Sequence, residues 1–171
     1  RLQKFGEEDY HTNIAKVIEH AVDNLEAGDV LVLEMHSPGP RGSYIPVEDW
    51  EPIYDVLKLA EAKGVLCAAA GGNGYEDLDH EDYEGAFDLA VRNSGCVIVG
   101  AANREKEKEG FSNFGARVDA FGYGSDVVTA GYGNLYDGGE NKKYTKRFSG
   151  TSSATPIVSG AIAALSSIAQ E

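Results

Sequence analysis

A serine at the first turn of a helix has neighbours that suit attack on a carbonyl. Backbone N–H groups there have no intrahelical acceptor, and the positive end of the helix dipole lies behind them. Both favour the negative charge that builds when a hydroxyl becomes a nucleophile. The run Gly150-Thr151-Ser152-Ser153-Ala154-Thr155-Pro156 has this form. Pro156 falls in the first turn, where a missing donor costs little. The plainer reading of a bare Ser/Thr pair is a helix N-cap without chemistry. A second site of interest is Gly71-Gly72-Asn73-Gly74, which closes an apolar run. A glycine loop of this kind can cradle phosphate, but it lacks the spacing G-x-G-x-x-G and a following lysine. A nucleotide-binding domain is therefore the weaker reading.

Helices and strands alternate around these two positions. Residues 13–27 carry Ile14, Val17, Ile18, Ala21, Val22 and Leu25 at helical spacing, with Thr12 or Asn13 as a cap and Gly28 as a stop. Residues 30–35 form an apolar run whose continuity predicts a strand buried on both faces. Pro38, Gly39, Pro40 and Gly42 predict a loop over residues 36–46. A second helix is expected over residues 49–63, with Trp50, Ile53, Val56, Leu57 and Ala60 inward and Gly64 at its end. Strands follow at 65–70, 96–99 and 118–121, then a loop-rich stretch with a hairpin near Asp137-Gly138-Gly139. The final helix, residues 152–168, has almost no polar face and is expected to be buried. Alternation with crossover-length connections predicts an α/β fold, a three-layer parallel sheet covered by helices. Ligands of such sheets bind beyond the carboxyl ends of the strands. Asn73 follows one such end, and Ser152 opens a helix.

Composition narrows the partners. The chain has 171 residues, is 42% hydrophobic and has a net charge of −13. That charge repels phosphate backbones, so nucleic acid is not an expected partner. No apolar run approaches the roughly 20 residues that span a bilayer, so no membrane partner is expected either. Cys67 and Cys96 both lie in apolar runs and are expected to be buried free thiols on neighbouring strands. Arg1 opens the chain and Met35 is its one methionine, so a processed or excised chain is expected.

Beyond the short motif, the segment from Phe148 to Gly160 closely resembles the nucleophile motif G-T-S-x-A-x-P of the subtilisin-like serine peptidases, the subtilases. Val65-Leu66-Cys67-Ala68-Ala69-Ala70-Gly71-Gly72-Asn73-Gly74 is similar to the strand and loop that present that family's oxyanion-hole asparagine. Asp29 to Met35 is similar to its substrate-bordering strand. Val97-Ile98-Val99-Gly100-Ala101, Phe111-Ser112-Asn113-Phe114-Gly115 and Val118-Asp119 match its next landmarks in order. The family order is Asp, His, Ser. Neither D-[ST]-G nor H-G-T-H is present, so residues 1–171 are expected to be the C-terminal part of a catalytic domain, a truncated subtilisin-like fold. His20 and His80 read as surface residues.

The resemblance implies acyl transfer. Ser152 would attack the scissile carbonyl, with Asn73 and the Ser152 N–H stabilising the oxyanion. Glu34, Met35 and His36 on one side, and Ala70, Gly71 and Gly72 on the other, would sandwich an extended peptide by main-chain hydrogen bonds. Glu34 would favour a basic substrate side chain or simply face solvent. No cofactor is implied. The acidic loop from Glu76 to Glu84 could take calcium or be a solvated loop, and it lacks the D-x-D-x-D-G pattern. The expected partner is a peptide or protein substrate, with self-association through the truncated edge. Secretion is the family expectation. The chain alone is expected to be inactive, and a degenerate protease-like peptide-binding module is the alternative. Two departures stand out: Ala70-Gly71-Gly72-Asn73 carries a glycine more than the usual A-A-G-N, which softens the loop, and Phe121-Gly122-Tyr123-Gly124 replaces the usual A-P-G.

Overall fold

The computed structural model describes residues 10–136 and 138–170, with side chains from residue 12. Four parallel strands form its sheet in the order β1-β4-β5-β6: β1 (Val30–Leu33), β4 (Leu66–Ala70), β5 (Val97–Ala102) and β6 (Ala120–Tyr123). Helices α1 (Tyr10–Asp23) and α2 (Glu51–Lys63) cover one face, and α3 (Thr151–Ala169) crosses the other. This is the expected three-layer α/β arrangement. Ile14, Ile18 and Val22 of α1 and Ile53, Leu57 and Ala60 of α2 share one core with Leu33, Cys67, Ala69 and Ile98. Val99, Ala101 and Ala154 form a smaller core under α3.

Several local expectations shift. Within the described residues helix α1 runs from Tyr10, so Thr12 and Asn13 lie inside it and do not cap it. Its Val17 faces outward, 55% exposed. The helix ends at Asp23, and Gly28 serves the turn beyond, where its N–H donates to Gly64 O at 2.8 Å. Gly64 itself ends α2 in the left-handed region, φ 82°. Strand β1 is an edge strand of this sheet, with Val32 exposed, rather than a strand covered on both faces. The predicted loop at 36–46 is a small antiparallel hairpin, β2 (His36–Pro38) with β3 (Tyr44–Pro46). Its prolines sit at the ladder ends, where a missing N–H is tolerated. A second hairpin pairs β7 (Val127–Ala130) with β8 (Tyr144–Phe148), and Asp137 of its connection lies outside the described residues.

Helix α3 departs most from expectation. Only its first turns are buried, at Thr151, Ser153, Ala154, Thr155 and Ser159. Farther on, Leu165 and Ile168 are 67% and 69% exposed. Its 19 residues are long and apolar enough to cross a membrane by length and composition, contrary to the sequence expectation. Here it lies along the sheet, antiparallel to the strands, with Ser166 Oγ donating to Gly28 O at 2.8 Å just before β1. Close approach at its start requires glycine. A Cβ on Gly122 would stand 2.3 Å from Ala154 O.

Arg117 is the largest fully buried side chain. Its Nε and Nη2 donate to the two carboxylate oxygens of Glu48 at 2.6 and 2.8 Å, Nη1 donates to Asp119 at 2.6 Å, and Nη2 also reaches Cys96 O at 2.8 Å. Burial works against this cation, but the bonds to Glu48 and the charge of Asp119 outweigh it and raise its pKa above the ordinary value. The cluster ties the start of β5 and the approach to β6 to the segment before α2. Next to it, Cys67 and Cys96 are free and buried. Burial pushes the Cys67 thiol up to about 11 and that of Cys96 well up, so both stay protonated at neutral pH.

Removing one member of such a buried pair leaves the other charge without a partner. Arg117→Met is expected to cost about 3 to 5 kcal/mol of stability, and the double change Arg117→Met with Glu48→Leu to recover much of it. Urea unfolding of the two variants checks this, and equal losses would show that the charges are not coupled.

Candidate active site

Parallel strands put their carboxyl ends on one edge. Glu34 follows β1 there, Gly71-Gly72-Asn73 follow β4, and Gly124 follows β6. Helix α3 begins at the same edge. Gly150, with φ 121°, adopts a backbone that side chains rarely tolerate, and its N–H donates to Gly124 O at 2.9 Å. The chain therefore enters α3 against the strand ends, and Ser152 Oγ donates to Glu34 O at 3.2 Å. Ser152 is half-buried. Among the described residues, nothing accepts its backbone N–H.

Asn73 and Thr151 meet across the chain. Thr151 donates to Asn73 Oδ1 twice, from its N–H at 2.9 Å and from Oγ1 at 2.9 Å. Thr151 Oγ1 in turn accepts the Gly72 N–H at 3.2 Å. With both donors on its oxygen, the Asn73 amide has one orientation, and Nδ2 is left with no acceptor among the described residues. The Asn73 amide nitrogen and the Ser152 N–H thus both stand free around Gly150, 3.3 and 3.7 Å from where its Cβ would lie. This pair of donors suits an oxyanion.

The extra glycine does not loosen the loop. Gly72 has φ 96°, and a Cβ there would lie 2.5 Å from Asn113 Nδ2 and 2.6 Å from Tyr44 O. Asn113 is fully buried. Its Nδ2 donates to Tyr44 O and Gly71 O, each at 2.7 Å, and its Oδ1 accepts from Gly74 N at 3.0 Å and Glu76 N at 2.9 Å. One amide therefore pins both sides of Asn73. Gly71 N donates to Val99 O at 2.8 Å, and Gly72 O accepts from Asn113 N at 3.2 Å. The N–H and C=O groups of Gly71 and Gly72 are all engaged internally, and with Ala70 both residues are buried, so this flank has no free main-chain group for the peptide hydrogen bonds expected from the sequence.

The remaining site residues from the sequence lie close by. The Glu34 side chain is exposed, and Met35 packs on the main core. His36 stacks on Tyr44 with ring centroids 4.1 Å apart, and burial lowers its pKa, so it is neutral at pH 7. His80 Nδ1 accepts from Asp82 N at 3.2 Å. No described histidine hydrogen-bonds Ser152. In the acidic loop, Glu76 accepts from Tyr83 at 2.8 Å and pairs with Arg41 at 3.1 Å, and Asp79 accepts from Ala116 N at 2.9 Å. These carboxylates are partnered within the fold, and the described residues hold no group of three or more metal-ligating side chains.

A family model described as the subtilase family matches residues 9–171. The chain belongs to the subtilase family. It is similar to an intracellular serine protease of Paenibacillus polymyxa, 31% identical over 125 residues, covering 71% of this chain and 34% of that protein. Proteinase R of Parengyodontium album is 33% identical over 105 residues, 61% of this chain and 23% of that one. In fold, this subtilase chain is similar to a cold-adapted subtilisin-like serine proteinase, with TM-score 0.65, 22% identity, and coverage of 96% of this chain and 51% of that one. The PatG macrocyclase in complex with peptide gives TM-score 0.64 at 20% identity, covering 94% and 42%. The chain spans a quarter to a third of the curated relatives' length.

Two residues that shape the candidate site have no role assigned by the sequence. Thr151 reads as a cap, and its bond to Asn73 spans 78 positions. Asn113 is a family landmark without an assigned role, and its place in Phe111-Ser112-Asn113-Phe114-Gly115 is the signal that could have found it. Ser153 Oγ is different again: buried, and without a hydrogen-bond partner.

These bonds set an ordering. Thr151→Val strands a buried Gly72 N–H and is expected to lower stability by about 1 to 3 kcal/mol. Ser153→Ala removes an orphan hydroxyl and is expected to leave stability unchanged or higher. Denaturant unfolding compares the two, and losses of the same size would contradict the bonding described.

Proposed function

We propose that this chain carries the nucleophile and oxyanion donors of a serine endopeptidase that cleaves peptide bonds through an acyl-enzyme. Family membership supports the class of reaction. The observation that carries the finer reading is the Asn73 amide, fixed by Thr151 through its oxygen, with Nδ2 free and meeting the Ser152 N–H around Gly150.

In this reading Ser152 Oγ attacks the carbonyl carbon and its proton passes to a histidine on a segment outside this chain, oriented by an aspartate. The carbonyl oxygen becomes an oxyanion and takes hydrogen bonds from Asn73 Nδ2 and the Ser152 N–H. Collapse breaks the C–N bond, and the histidine protonates the leaving amine. Water then attacks the acyl-Ser152 ester and releases the acid. The acyl arm of the peptide lies between Glu34, Met35 and His36 on one flank and Ala70, Gly71 and Gly72 on the other. Without the histidine, Ser152 keeps an ordinary alcohol pKa, and its hydroxyl donates to Glu34 O instead. Secretion belongs to the proposal on the family expectation. So does self-association of the isolated chain, through the edge of β1 and the exposed end of α3.

A fluorophosphonate probe separates an enzyme from a peptide-binding module. Labelling of Ser152 is expected in the protein that joins this chain to its histidine- and aspartate-bearing segments, and not in residues 1–171 alone. In that complete enzyme, Asn73→Ala is expected to lower kcat by roughly 100- to 1,000-fold with little change in KM, the size established for such a donor in subtilisin itself. A raised KM at unchanged kcat would make Asn73 a substrate contact instead.

A further inference from the structure

The chain carries 28 acidic residues, yet none falls between positions 141 and 170. Four of its 15 lysines and arginines fall within six positions there: Lys142, Lys143, Lys146 and Arg147. Lys146 and Arg147 are exposed on β8, the strand that leads into the nucleophile. Together with Arg104 they line a cavity of about 490 Å³, along with Asp126 and Val128. Three cations face one carboxylate there. Among the described residues, none of Arg104, Lys146 and Arg147 has a carboxylate within ion-pair distance, whereas Lys143 is paired with Glu140 at 2.8 Å.

Position makes this patch relevant to the reaction. Arg147 precedes Ser152 by five residues, so the chain places their Cα atoms at most about 18 Å apart. Register sets Phe148 opposite Val127, and the bond from Gly150 N to Gly124 O seats the junction on the end of β6. The sheet order runs β1-β4-β5-β6. Glu34 therefore borders Ser152 from one end of that order, and the basic hairpin borders it from the other. A peptide passing Ser152 with its acyl arm over the ends of β1 and β4 sends its leaving-group arm toward β8.

We propose that Arg104, Lys146 and Arg147 form a cationic subsite for acidic side chains on the leaving-group side of the substrate. The inference rests on the endopeptidase reading and adds a substrate class to it. In a chain of net charge −13, three clustered cations without partners attract a carboxylate that the rest of the surface repels.

The test uses the complete enzyme and matched peptides that differ only in Asp, Ala or Lys two or three positions after the scissile bond. At low salt, kcat/KM is expected to favour Asp over Ala by roughly three- to fivefold, the size of an exposed ion pair. The preference is expected to collapse near 1 M salt, where the Debye length is about 3 Å. The double change Lys146→Glu with Arg147→Glu is expected to invert it toward Lys. An Asp-to-Ala ratio near one at low salt, or the same ratio in the double variant, would overturn the subsite while leaving the peptidase intact. If no peptide is cleaved and Ser152 resists labelling, the endopeptidase reading is what fails. Fluorescence anisotropy with the labelled Asp and Ala peptides then still decides the patch. Tighter binding of the Asp peptide, lost in the double variant, supports it; equal binding overturns it.

Discussion

The site depends on one small contact. Asn73 follows a strand and Thr151 starts a helix, and two hydrogen bonds onto a single amide oxygen join them. An unconstrained carboxamide can present either its oxygen or its nitrogen to a neighbour. With two donors on the oxygen, only the nitrogen faces outward. Catalysis by charge stabilisation needs donors oriented before the charge appears, because reorienting them during reaction costs part of the gain. In the proposed reaction the contact supplies that orientation without any charged residue, in a chain of net charge −13.

Packing around the contact keeps it there. Gly72 and Gly122 let backbone approach backbone where a Cβ would clash. Asn113 holds the glycine loop by bonds to Gly71, Gly74, Glu76 and Tyr44. At the opposite edge of the sheet, Arg117 joins Glu48, Asp119 and Cys96 O and so ties the start of β5 and the approach to β6 to the segment before α2. The edge that presents Glu34, Asn73 and Ser152 is thus fixed by polar groups as well as by the apolar layers. Helix α3 follows the same division. Its first turns are buried under the strand ends, and its remainder carries exposed leucine and isoleucine.

Much of this was legible in the residues. Helical spacing located α2 and its end at Gly64 closely, because a left-handed glycine stop is a local signal. Continuous apolar runs located β1, β4 and β5. The motif around Ser152 and the loop at Asn73 pointed to one edge and to one family. Other features were not local. Prolines and glycines at 36–46 hid a hairpin whose pairing rests on tertiary neighbours. The apolar character of α3 foretold burial, but composition does not say which elements cover a helix. The roles of Thr151 and Asn113 arise from partners dozens of positions away, which no spacing rule encodes.

The position of the negative oxygen decides whether Asn73 and Ser152 act together. A crystal structure of the complete enzyme with a peptide aldehyde bound to its serine measures this directly. The account predicts a covalent bond at Ser152 Oγ and a hemiacetal oxygen about 2.7 to 3.1 Å from both Asn73 Nδ2 and the Ser152 N–H. The Thr151 bonds to Asn73 Oδ1 are predicted to remain in place. An adduct on another residue, or an oxygen turned away from Asn73 with the amide rotated off Thr151, would contradict it.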